Sequence, residues 1–223
     1  MSRQEGFTLV ELMVALVIGL IVLLAGFTAL DRFTATSATI TVRTDNTQRA
    51  RLEMDLIIRE LRSQVCVGPG DPSLVAGTPT AVTFVTDLSD GSAPEKRTVS
   101  YDATTRRLRE LRYLRTGTTT PLTFSTTSVA GPVQSNVDPV DPGGTTPIFR
   151  YYAYNTAAPP RPELELPTPL STPDRGRVAR ITVAFKVGRP STDRDRNASA
   201  TLQDEVLMRT VDPSDLVPLP LCS

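Results

Sequence analysis

Histidine and tryptophan are both missing from this 223-residue chain. The first absence removes the side chain that most often serves as general base and the commonest metal ligand. Serine, threonine and aspartate are plentiful, but none stands beside a plausible base. The sequence therefore gives no catalytic residue, no metal and no cofactor, and an enzyme is not the expectation. Net charge is missing too, because 24 Lys and Arg residues balance 24 Asp and Glu. With no basic or acidic tail, composition does not favour nucleic acid as a partner. Lysine is nearly absent, with Lys96 and Lys186 the only two.

Cysteine is scarce. Cys66 and Cys222 lie far apart and match no metal-ligand or redox spacing. In an oxidising compartment they can form one bridge that ties the C-terminus to the region after the first helix. Closing so long a loop stabilises by about 4–5 kcal/mol in the chain-entropy account. Two unpaired thiols are the alternative.

What the chain does contain is concentrated at its start. No charged residue occurs from Leu12 to Leu30, and a helix of that length, at about 1.5 Å per residue, nearly spans the ~30 Å hydrocarbon layer. Arg3 precedes the run, and Asp31 and Arg32 follow it. The positive-inside tendency then keeps the short end in the cytoplasm and exports the remainder. An ordinary secretory signal, cleaved near Thr34–Ala38, is the competing reading. The apolar run exceeds the 7–15 residues or so usual for a signal, and Glu11 stands at its head. An ionised side chain in the apolar core costs roughly 2.5–3.5 kcal/mol on insertion scales, so Glu11 calls for a partner.

The stretch "GFTLVEL" with the apolar run behind it closely resembles the type IV prepilin signature: a short polar leader ending in glycine, an aromatic first mature residue, and glutamate at the fifth mature position. The resemblance implies cleavage between Gly6 and Phe7 by a prepilin peptidase, methylation of the new amine of Phe7, and retention of the helix. It also implies a role for Glu11. When subunits stack by their helices, the amine of Phe7 and Glu11 of a neighbour can neutralise each other in an apolar filament core, which sets axial register.

Beyond Leu30 the Thr-rich "TATSATITVRTDNT" is a mediocre helix former, and "QRARLEMDLIIRELRSQV" restores a clear helical pattern. Met54, Ile57, Ile58, Leu61 and Val65 share one apolar face by three-and-four spacing. Arg51, Asp55 and Arg59 stand one turn apart on the opposite face. One long helix is predicted from about Phe7 to Val65, with Gly19, Gly26 and the threonines as places for a bend, and "GPGDP" (Gly68–Pro72) as its end. Strands are predicted at Ala81–Thr86, Arg97–Tyr101, Arg107–Arg115, Ile148–Tyr154, Arg177–Val187 and Leu202–Val211. The "DATT" turn joins the second and third, and the last two form an antiparallel pair. Thr116–Pro147 and Asn155–Asp174 read as Pro-rich loops outside the core.

The fold class is thus α+β, a long N-terminal helix against an antiparallel β-sheet head, as the pilin resemblance also implies. The boundaries are 1–6 for the leader, 7–30 for the transmembrane and filament-core helix, 31–66 for its amphipathic second half, and 67–223 for a β-rich head. The later segments are similar to those of larger minor pilins and of type II secretion pseudopilins.

Two other clusters have plain explanations. Arg106, Arg107, Arg109, Arg112 and Arg115 around Tyr113 resemble the phosphate-gripping groups of some competence filament proteins, but a solvated strand face is preferred. Asp87, Asp90, Asp138 and Asp141 lack calcium-loop spacing and read as turn residues.

The functional expectation is a structural subunit, a minor pilin or pseudopilin of a type IV pilus, a competence pseudopilus or a type II secretion pseudopilus. Its expected partners are the prepilin peptidase, other pilin or pseudopilin subunits, the inner-membrane assembly platform and the membrane. It is expected in the cytoplasmic membrane as a single-pass protein with an exported head, then in the filament. The alternative is a membrane-anchored extracytoplasmic binding domain that never enters a filament.

Overall fold

The long apolar stretch and the charged segment after it lie in one helix, α1 (Leu9–Arg62). This computed structural model describes residues 8–68, 71–88, 93–138, 146–155, 163–187 and 200–208. The chain divides into two units, residues 1–44 and residues 45–223.

The first unit contains the N-terminal part of α1. Threonines that disfavour a helix by their branching are satisfied inside it. Thr28 Oγ1 donates to the Ala25 carbonyl at 2.9 Å, Thr36 to Arg32 at 2.8 Å, Thr41 to Ser37 at 3.0 Å and Thr44 to Ile40 at 2.9 Å. Each hydroxyl thus finds its partner one turn back inside the helix, which accommodates the Thr-rich stretch without adding to its helical preference.

The second unit begins with the rest of α1 and continues through β1 (Leu74–Gly77), β2 (Ala81–Thr86), β3 (Glu95–Asp102), β4 (Arg107–Tyr113) and β5 (Val129–Asp138). β6 (Phe149–Ala153), β7 (Leu164–Glu165), the short helix α2 (Thr172–Arg175), β8 (Val178–Val187) and β9 (Ala200–Leu207) complete it. Among the described residues, nine strands form one sheet in the order β1-β2-β3-β4-β5-β8-β6-β7, with β9 on β8. Every pairing is antiparallel. One edge of β8 carries both β6, through Val178–Val183, and β5, through Lys186 and Val187. Its other edge carries β9.

Period-two alternation sends Val82, Phe84, Val99 and Leu108 into the core, where they join Ile181, Val183 and Phe185. α1 contributes Ala50, Met54, Ile57, Ile58 and Leu61 to the same cluster. The predicted α+β plan is therefore the observed one, with the sheet covering the apolar helix face. Each large apolar side chain buried there stabilises by about 1.5–3 kcal/mol.

Five expectations change. The helix ends at Arg62, not near Val65, because the following residues leave it to pair with β2: the Val65 N–H donates to Val85 at 3.1 Å and the Asp87 N–H to Ser63 at 3.0 Å. β1 was not foreseen. The stretch Thr116–Pro147, read as loop, contains β5, with Val133 and Val137 buried. The stretch Asn155–Asp174 contains β7 and most of α2. On the exposed helix face the ion pair observed among the described residues joins Asp45 to Arg49 at 3.0 Å, in place of pairs around Asp55.

β5 escaped notice because Gly131 and Pro132 interrupt it, and proline belongs in a strand only at an edge or a bulge. A bulge is what the register shows. Arg109 pairs with Gln134 and Leu111 with Ala130, so Gly131, Pro132 and Val133 together oppose Glu110.

Candidate functional site

α1 opens with a reciprocal capping arrangement. Thr8 stands at the N-cap and Glu11 three residues on. The Thr8 N–H and hydroxyl donate to Glu11 Oε2 at 3.0 and 2.9 Å, and the Glu11 N–H donates to Thr8 Oγ1 at 3.3 Å. This is a Thr-x-x-Glu capping box, which satisfies backbone donors that a helix start leaves open. The carboxylate that seemed to lack a partner thus has two donors within its own chain. The spacing was readable from the sequence, since Thr8 precedes Glu11 by three and an apolar run follows.

Behind the cap, Leu9–Ala38 is long and apolar enough to cross a membrane. Leu9, Leu12, Leu16, Leu20, Leu24 and Phe27 are all more than half exposed. So contiguous an apolar surface marks a site for lipid or another protein. Gly6 and Phe7, where the scissile bond is expected, lie outside the described residues.

The second unit contains a group of charges that the sequence reading did not single out. Glu60 from α1, Glu95 and Arg97 from β3, and Glu110 from β4 are all buried, and Arg112 from β4 is partly exposed. Arg97 Nη1 donates to Glu60 Oε1 at 2.5 Å and to Glu110 Oε1 at 2.9 Å, while Nη2 reaches Glu95 Oε2 at 3.0 Å. Arg112 closes the chain with two bonds to Glu95, from Nε at 2.9 Å and Nη2 at 2.6 Å. Arg112's hydrogen bond holds the Glu95 carboxyl below the usual glutamate range, against the opposing effect of burial. Burial, then the neighbouring Glu110 charge, pushes Glu60 up to about 7. The pattern was in the sequence: Glu60 follows Ile57 by three on the apolar stripe, and Glu110 alternates with Leu108.

The arginines of "RRLRELRYLR" do not act together. Arg107 and Arg109 are exposed, Arg112 points to the opposite face and pairs with Glu95, and Arg115 donates to the Gly117 carbonyl. Arg106 adopts a positive φ of 53° after the Asp102 turn, where Asp102 accepts from the Thr104 and Thr105 N–H groups. Asp87 borders an open groove lined also by Asp55, Arg59, Arg62, Gln64 and Asp204. Asp138 ends β5 opposite Lys186, and Asp90 and Asp141 lie outside the described residues. Among the described residues no cluster of acids or cysteine is arranged to hold a metal. Cys66 is disulfide-bonded, and Cys222 lies outside the described residues.

Residues 1–27 match the family model described as the prokaryotic N-terminal methylation motif. No curated protein matches the chain. The matched residues take in Thr8, Glu11 and most of the uncharged run behind them, so at its N-terminus the chain carries a type IV pilin-like prepilin signature.

Proposed function

We propose that the chain is a minor pilin or pseudopilin, a structural subunit of a type IV pilus, a competence pseudopilus or a type II secretion pseudopilus. A prepilin peptidase cleaves the Gly6–Phe7 peptide bond and methylates the freed amine of Phe7. The helix from Phe7 to Leu30 first anchors the subunit in the cytoplasmic membrane, with the head exported, and then packs against other subunits in the filament. Residues 31–66 carry the helix into the head, and residues 67–223 form it. A Cys66–Cys222 bridge fastens the end of the head to the end of the helix.

The observation that carries this reading is the exposed apolar helix that begins at Thr8 and Glu11 within the matched motif. A membrane span needs no acid at its head, whereas a filament core built from amine-ended helices does. In the unassembled subunit Thr8 holds the Glu11 carboxylate at the helix start. On assembly the methylated amine of a neighbouring Phe7 pairs with it. One charge without the other is left uncompensated in an apolar core, so only subunits in the right axial position are tolerated.

Two measurements test the proposal. Intact mass of native protein is expected to begin at methylated Phe7, and a start near Ala38 makes the chain an ordinary secreted protein. The share of tagged protein in sheared filaments is expected to fall for Glu11→Leu while membrane insertion and cleavage continue. Equal incorporation favours the membrane-anchored extracytoplasmic binding domain instead.

A further inference from the structure

We propose that Glu60 stays a carboxylic acid in mildly acidic solution, its proton directed towards Glu110, and that the joint between α1 and the sheet in the second unit is a pH-sensitive clamp.

The geometry argues for the proton. Three carboxylates, Glu60, Glu95 and Glu110, meet two guanidinium groups, Arg97 and Arg112. Arg112 is spent on Glu95, and one nitrogen of Arg97 serves both Glu60 and Glu110. Among the described residues, Glu60 Oε2 is buried and receives no donor. An ionised oxygen in that position is costly, whereas a protonated one can donate. Glu110, whose carboxylate meets the same Arg97 nitrogen as Glu60, is the acceptor we assign to that proton. Its own Oε2 also accepts the Val133 N–H at 3.2 Å.

The groups around Glu60 are those already named, with two additions. β2 offers Thr86, whose hydroxyl donates to the Glu60 backbone carbonyl at 3.2 Å. β3 offers Glu95 and Arg97, β4 offers Glu110 and Arg112, and β5 reaches the cluster through the Val133 N–H. On its own helix Arg59 is the nearby charge. When Glu60 ionises, its O–H bond breaks and the proton leaves to solvent. Two carboxylates then face each other across a single guanidinium nitrogen, and the cluster carries one net negative charge.

The direction follows from linkage. The Glu60 carboxyl sits at about 7 in the fold, above the ordinary glutamate range of about 4.3. Its contribution to stability is therefore complete below that ordinary range and is lost as the pH rises through about 7. Glu95 acts in the other window. Its carboxyl is held down, so its contribution is lost only as the pH falls through that depressed value.

The test uses the full chain in detergent micelles and depends on the buried cluster alone, not on the filament reading. Urea unfolding is followed from about pH 5 to about pH 9 for wild type and Glu60→Gln. Relative to Glu60→Gln, the wild-type folding equilibrium constant is expected to fall by up to about tenfold per pH unit towards pH 7 and to level off above it. Parallel pH profiles for the two proteins overturn the proposal. Infrared titration of the wild type is the second arm and needs no variant to fold. A buried carboxylic-acid carbonyl band in mildly acidic solution that disappears in mild alkali is expected, and its absence at about pH 6 also overturns the proposal.

Discussion

Glu110 occupies the space a side chain on Gly131 would need: a Cβ built on Gly131 falls 2.3 Å from Glu110 Cδ and 2.6 Å from Cγ. The bulge in β5 brings the two together, because three residues of that strand oppose Glu110 alone. Glu110 is fully buried and tied to Arg97 and to the Val133 N–H, so it has nowhere to retreat. Gly131→Ala is expected to cost about 1–3 kcal/mol by overpacking. In a double-mutant cycle much of that cost should vanish when Glu110→Ala is already present, since the clashing atoms are gone. Additive losses in denaturant midpoints would show that the glycine serves only the backbone of the bulge.

Arg97 and Arg112 both bind Glu95, yet their loss should differ sharply. Arg97 is the only guanidinium on Glu60 and Glu110 among the described residues, and it is buried. Arg97→Met leaves buried carboxylates without their cation and is expected to cost about 3–5 kcal/mol. Arg112 has a side chain 34% exposed, so water replaces much of what Arg112→Met removes, and about 1 kcal/mol or less is expected. Chemical denaturation of both variants near neutral pH checks the ranking. Equal losses would place the weight of the network at Glu95.

Much of this fold was legible because its strongest signals are periodic. The stripe Met54, Ile57, Ile58 and Leu61 announces its buried face at helical spacing, and Ala81–Thr86 coincides with β2. β5 was illegible because Gly131 and Pro132 are ordinary loop signals, and only the opposing Glu110 explains them. β7 has two residues and α2 has four, too few for any period to register. At the N-terminus the motif was legible from Gly6 to Glu11, while the role of Thr8 was overlooked although its capping spacing was visible. The buried acids were missed for a different reason. A charged residue on an apolar stripe looks like an error in the pattern until its partners on two other elements are known, and those pairings are set by strand register.

The Cys66 disulfide leads to a third prediction. Cys66 lies four residues beyond the end of α1 and is disulfide-bonded, and the chain has two cysteines. Unreduced peptide mapping of exported protein is expected to yield one linked pair containing Cys66 and Cys222. Breaking it with Cys222→Ser is expected to lower stability by about 4–5 kcal/mol in the chain-entropy account. Two alkylatable thiols in protein taken from the envelope would remove the bridge from the proposal.

Thr8 allows the two roles of Glu11 to be separated. Within one chain Glu11 caps its own helix, accepting from the Thr8 N–H and hydroxyl. In the proposed filament the same carboxylate neutralises a neighbour's amine. Thr8→Val removes the hydroxyl and with it part of the cap, but keeps the acid. Glu11→Gln does the reverse, because an amide oxygen still accepts from Thr8 while the charge is gone. If capping is the whole role of Glu11, Thr8→Val should impair filament incorporation and Glu11→Gln should be nearly neutral. The register mechanism gives the opposite order: Thr8→Val incorporates close to wild type, and Glu11→Gln falls well below it despite normal membrane insertion and cleavage, since the incoming amine stays unpaired in an apolar core. The share of each tagged variant in sheared filaments against membranes measures the order. A neutral Glu11→Gln would reduce Glu11 to a capping residue and end the register mechanism.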